Sequence, residues 1–169
     1  MMKDDVFTEE PQTIETDYET ERNKPMPNII HGTIQTKISV LLTIQCGDRF
    51  DFPNEVTLDT QPRATTPDIC IYPKKNRSLK QVLAKETEMP LTTIEIQSPS
   101  QAPEDLVAKA WEYYFPAGVK SAWVVIPALK AVRIILPDDQ NFLYMTGEAH
   151  DPTNGIRIPV EKIFEGIDL

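Results

Sequence analysis

The chain is poor in several side chains that chemistry most often uses. It has two histidines and two cysteines in 169 residues. With only His31 and His150 as imidazole bases, and no nucleophile elbow around Ser98-Pro99-Ser100, a serine- or cysteine-type small-molecule hydrolase is disfavoured. Cys46 and Cys70 fall in a predicted helix and a predicted strand, which fits buried free thiols. No apolar run approaches the roughly 18 residues of a membrane span. The opening Met1-Met2-Lys3-Asp4-Asp5 lacks the basic-then-apolar layout of a signal peptide, so a cytoplasmic protein is expected. Positive charge is also short: 17 Lys and Arg face 26 Asp and Glu, for a net charge of −9. That balance argues against a simple nucleic-acid binder, which carries a basic footprint. It leaves room for a nuclease, because carboxylates that hold a metal add negative charge themselves. The local basic run, Lys74, Lys75, Arg77 and Lys80, reads either as a small basic face or as a solvated loop.

Two acids stand where solvated carboxylates are not expected. Asp68 lies in Thr66-Pro67-Asp68-Ile69-Cys70-Ile71-Tyr72, and Glu95 in Thr93-Ile94-Glu95-Ile96-Gln97. Both are set in apolar, β-branched runs that read as strands. Taking a carboxylate out of water costs several kcal/mol unless it is paired, protonated or metal-bound. Two such acids on neighbouring strands point to a divalent-metal site.

The surrounding pattern is that of one α/β domain spanning 18–169, a mixed sheet with helices packed on its faces. Residues 1–17 are acidic and aperiodic and read as a loosely ordered arm. From His31, the residues Ile34, Ile38, Leu41, Leu42 and Gln45 recur at helical spacing, and Gly47 suits the helix end. Segments 49–52 and 55–58 alternate like half-buried strands around Pro53-Asn54. Strands are expected over 69–72 and 91–97, with a short helix over 78–85 between them. Pro103-Glu104-Asp105 opens a helix that buries Leu106, Ala110, Tyr113 and Tyr114 and ends at Gly118. A strand over 121–126 follows, and strand–helix–strand implies a parallel crossover. Segments 133–136 and 142–145 read as a closing meander, and Pro159 as the start of a helical turn.

Hard ions such as Mg²⁺, or Mn²⁺ in its place, take carboxylate, carbonyl, water and phosphate oxygens. Asp68 and Glu95 supply carboxylates and the Ile96 carbonyl a neutral oxygen. Gln97 shares a strand face with Glu95 and offers hydrogen bonds without charge. Lys109, on the following helix, is the candidate cation for a phosphodiester reaction. Its spacing from Asp105 equally suits an exposed ion pair. His31 reads as a substrate contact or general base, or else as a capping or packing residue. Trp111 and Trp123 read as core.

Pro67-Asp68 followed by Glu95-Ile96-Gln97 resembles the motif of the PD-(D/E)XK nuclease superfamily, with Gln97 where the motif has lysine. The longer context resembles the Uma-type restriction endonuclease family of bacteria. Its matching phrases are Thr16-Asp17-Tyr18-Glu19, Lys24-Pro25-Met26-Pro27, His31, Thr66-Pro67-Asp68-Ile69 and Ile94-Glu95-Ile96-Gln97-Ser98-Pro99-Ser100. Asp105-Leu106-Val107-Ala108-Lys109-Ala110 and Ala117-Gly118-Val119-Lys120-Ser121-Ala122-Trp123-Val124-Val125 complete the set. The resemblance implies a restriction-endonuclease-like core, Asp68 and Glu95 as metal ligands, and a lysine role moved to Lys109. The superfamily often adds an acid from its first core helix. This chain has none there, and Glu55 or Glu21 are the candidates to stand in. The expected activity is Mg²⁺-dependent cleavage of DNA, by a homodimer if both strands are cut. The competing reading is a catalytically quiet interaction or nucleic-acid-binding protein on the same fold, favoured by Gln97 and the acidic charge.

Overall fold

The computed structural model describes residues 25–168 except residue 27; the expected arm and Glu21 lie outside them. Helix α1 (Ile29–Cys46) starts where the Asn28 side chain accepts the His31 backbone N–H. Its buried stripe is Ile34, Ile38, Leu42 and Cys46, one residue per turn. Gln45 faces solvent and Cys46 takes its place in the stripe. Each fully buried Ile or Leu contributes about 1.5–3 kcal/mol, which pins the helix to the sheet. Gly47 closes it, and a Cβ there would meet the Thr43 carbonyl oxygen at 2.5 Å.

Six strands follow: β1 (Phe50–Asp51), β2 (Ile69–Pro73), β3 (Thr92–Ile96), β4 (Ser121–Ile126), β5 (Ala131–Ile135) and β6 (Asn141–Tyr144). They form one mixed sheet in sequential order, in which only β3 and β4 pair parallel. The parallel pair flanks helix α2 (Pro103–Lys109), which continues into a π turn, Ala110–Tyr114. A hairpin of β7 (Glu148–His150) and β8 (Arg157–Pro159) leads to α3 (Val160–Phe164).

The alternation of each strand divides the core between two faces. Ile69, Ile71, Ile94 and Ile96 pack with α1 and α3, while Cys70, Tyr72 and Ala122 pack with Tyr113 and Tyr114 of the π turn. Glu95, between Ile94 and Ile96, therefore belongs to the α2 face.

Several expectations need correction. Segments 49–52 and 55–58 contribute only Phe50 and Asp51 to the ladder, with Asn54 and Leu58 in isolated bridges. Pro53 lacks an N–H, and Glu55 adopts φ 61°, which breaks the extended run. The helix expected over 78–85 is a single 3₁₀ turn, Leu79–Gln81. Leu79, Val82 and Leu83 are exposed, so no packing supports a longer helix. Trp123 is core, but Trp111 is 39% exposed and stacks edge-on against Phe115. The β7–β8 hairpin was not expected. The basic run is a solvated loop: Lys74 and Arg77 pair with Asp51, and Lys75 with Glu88. Among the described residues no helix is long and apolar enough to cross a membrane.

Candidate active site

The sheet register brings the acids together. Strands β2 and β3 are antiparallel with Ile69 opposite Ile94, so one step outward Asp68 lies opposite Glu95. Asn54 bridges Ile69 antiparallel on the other side, and one step along Glu55 N–H donates to the Asp68 carbonyl at 3.1 Å. Glu55, at a bend beside β2, thus lies next to Asp68, which lies opposite Glu95. The left-handed φ of Glu55 turns the chain at that point, and such strained non-glycine residues cluster at functional sites.

Each carboxylate is held by specific donors. Asp68 is fully buried; its Oδ2 accepts the Ile96 N–H at 2.7 Å and lies 3.1 Å from His31 Nε2. Gln35 Nε2 reaches from α1 to the Asp68 carbonyl at 3.0 Å and to Glu55 Oε1 at 3.2 Å. Glu95 Oε1 accepts from Lys109 Nζ at 2.7 Å and from the Tyr114 hydroxyl at 2.5 Å. The Lys109 side chain is only 14% exposed, and its ammonium stands 5.7 Å from the centre of the Tyr114 ring.

Burial and crowded negative charge act together on one member of the group. The Glu55 carboxyl is pushed up to about 7, mainly by burial, then by the charges of Asp68 and Glu95; Lys109 opposes the rise. Burial, followed by the Glu95 charge, drives the Tyr114 phenol well above its ordinary range, so it remains a donor.

The residues singled out from the sequence divide clearly. The fold brings together Asp68, Glu95, Glu55, Lys109 and His31, and the Ile96 backbone touches Asp68 through its N–H. Lys109 does not pair with Asp105, whose Oδ2 instead accepts the Ala102 N–H at the helix start. His31 is buried at the helix start, where Asn28 accepts its backbone N–H and its imidazole lies against the Asp68 carboxylate. Its Nδ1 is buried and has no hydrogen-bond partner among the described residues. Gln97 turns away, donating to the Gln101 carbonyl at 2.7 Å and so bracing the loop after β3. Beside it opens a cleft of about 470 Å³, edged by Ile30, His31, Gln97 and Pro99. Two participants were not anticipated. Gln35 gives no signal beyond lying one turn after His31, and Tyr114 reads from its pattern as plain core.

Among the described residues no three His, Cys, Asp or Glu side chains form a ready-made metal cage. The donor set nevertheless fits a hard divalent ion. Asp68 and Glu95 are opposed carboxylates in a site with surplus negative charge, and such ions take much of their shell from water and phosphate oxygens.

A mixed six-stranded sheet flanked by helices, with acids at the adjoining ends of β2 and β3, defines a restriction-endonuclease-like α/β core. The chain belongs to the Uma2 family, described as "Putative restriction endonuclease", whose model matches residues 9–169. Its fold is similar to that in a crystal structure of "a putative nuclease belonging to DUF820" from Anabaena variabilis ATCC 29413. The TM-score is 0.64 at 18% identity, covering 83% of each chain. No curated protein gives a significant match.

Proposed function

We propose that this chain is a divalent-metal-dependent DNA endonuclease that hydrolyses phosphodiester bonds, with Mg²⁺ the expected ion and Mn²⁺ a substitute. The observation that carries the reading is the convergence of Lys109 on Glu95, opposite Asp68, in a largely buried pocket of carboxylates. Asp68 and Glu95 would hold the ion, with the Ile96 carbonyl and Glu55 as further oxygens. A bound divalent ion supplies a water of lowered pKa and screens charge gathering on the scissile phosphate. The chain's own groups supply order. Ile96 N–H and His31 fix the Asp68 carboxylate, and Gln35 ties Glu55 to the Asp68 backbone. Lys109 keeps Glu95 compensated and offers a positive charge to a phosphate oxygen. Gln97 supports the loop beside the site rather than substituting for a lysine.

DNA is the expected substrate. Cutting both strands with one site per chain calls for a two-fold dimer. A cytoplasmic setting agrees with two buried free thiols. The Gln97–Gln101 bond favours a second reading, a nuclease fold kept for binding alone, because it directs that side chain away from the acids.

Calorimetric titration with Mn²⁺ tests the assignment. Binding is expected in the wild type and weakened in Asp68→Asn and Glu95→Gln. A wild type that neither binds Mn²⁺ nor cuts DNA gives the lead to the second reading.

A further inference from the structure

We infer that Tyr114 is a positioning residue of the site, brought to Glu95 by the π turn. This rests on the proposed role of Glu95. In a regular α-helix, residues five apart point about 140° away from each other, so Lys109 and Tyr114 could not share a target. Here the helix widens after Lys109, and Phe115 N–H bonds the Ala110 carbonyl five residues back at 2.9 Å. The extra residue in that turn returns position 114 to the face of position 109. Both side chains then donate to the same oxygen, Glu95 Oε1.

Three features mark this as more than packing. The Tyr114 ring is fully buried, yet its hydroxyl is spent on a carboxylate and not on a backbone carbonyl. The Lys109 ammonium leans on the same ring. The neighbouring Tyr113, in the same turn, uses its hydroxyl elsewhere, accepting from Arg63 Nε at 3.1 Å. Tyr114 therefore holds one oxygen of Glu95 in a fixed direction and supports Lys109 from the side. It touches no substrate and acts through those two groups.

Plasmid cleavage in Mn²⁺, with Mn²⁺ titration alongside, separates the outcomes across wild type, Glu95→Gln, Tyr114→Phe and Tyr113→Phe. Tyr114→Phe removes one hydroxyl and keeps the ring, so the fold is retained. A hydrogen bond to a charged group is worth about ten- to a hundredfold, and kcat should fall in that range while KM for the plasmid holds. Mn²⁺ binding should weaken in the same variant. Tyr113→Phe, which loses a hydroxyl from the same turn, should match wild type. Tyr114→Phe that matches wild type in kcat and Mn²⁺ affinity, while Glu95→Gln is inactive, overturns the inference alone. Equal loss in Tyr113→Phe and Tyr114→Phe also overturns it, by assigning the effect to packing. Activity in Glu95→Gln equal to wild type overturns the underlying site assignment, and the inference with it.

Discussion

Asp151 and Glu95 are both buried carboxylates on the same sheet-centred core, and they are held in opposite ways. Asp151, just after β7, takes neutral donors among the described residues. Ser121 Oγ, Trp123 Nε1 and Asn154 Nδ2 donate to Oδ2, and Thr153 donates to Oδ1 through both its N–H and its hydroxyl. No titratable partner stands among those donors, and the charge is spread over a finished network. Glu95 instead shares its surroundings with two other acids, and its donors include the ammonium of a mostly buried lysine. The contrast separates scaffold from candidate site: satisfaction by neutral dipoles ties a loop to the sheet, whereas crowded like charge leaves a demand for cations.

Glu95→Gln should show the largest effect on the site side. Cleavage is expected to fall on the order of 10³-fold, about 4 kcal/mol of barrier, with the fold intact by circular dichroism. Asp151→Ala should do the reverse. It strands several buried donors at a cost of about 3 kcal/mol, lowering the melting temperature by about 6–12 °C for a chain of this size. Mn²⁺ affinity of the folded protein should not change. Lys109→Met should come next, with cleavage down about a hundredfold and little loss of plasmid binding.

How far the sequence reveals this division depends on the region. Asp68 and Glu95 are legible because each interrupts a β-branched run, and a buried acid in such a run demands a partner. The register that sets them opposite each other follows once 69–72 and 92–96 pair as neighbours. Lys109 is legible as a nearby cation, but not its choice between Asp105 and Glu95, which depends on which helix face meets the sheet. The Asp151 network was invisible. Its hairpin strands are three residues long with one buried residue each, too short for any alternation to register. The π turn was also invisible, because no residue type announces one surplus residue within a helix. Glu55 was only one of two candidate substitutes, since its position depends on a left-handed turn that Pro53-Asn54 hints at without specifying. Trp111 shows the limit of composition: a large aromatic on a helix reads as core, yet its position faces out.

A smaller effect sharpens the same comparison through pH. The carboxyl of Glu55 is raised to about 7 in the fold, against about 4.3 when unfolded. Between those values the folded state binds more protons than the unfolded one, so its stability should fall as pH rises from about 4.5 to about 7. Denaturant midpoints measured in chelator should show this slope in wild type and lose it in Glu55→Gln.

The most direct test of the central claim is supercoiled-plasmid cleavage in Mg²⁺ or Mn²⁺, run on wild type, Asp68→Asn and Glu95→Gln. The wild type should cut, chelator should stop it, and neither variant should cut at a measurable rate. Cleavage that survives both substitutions would contradict the account.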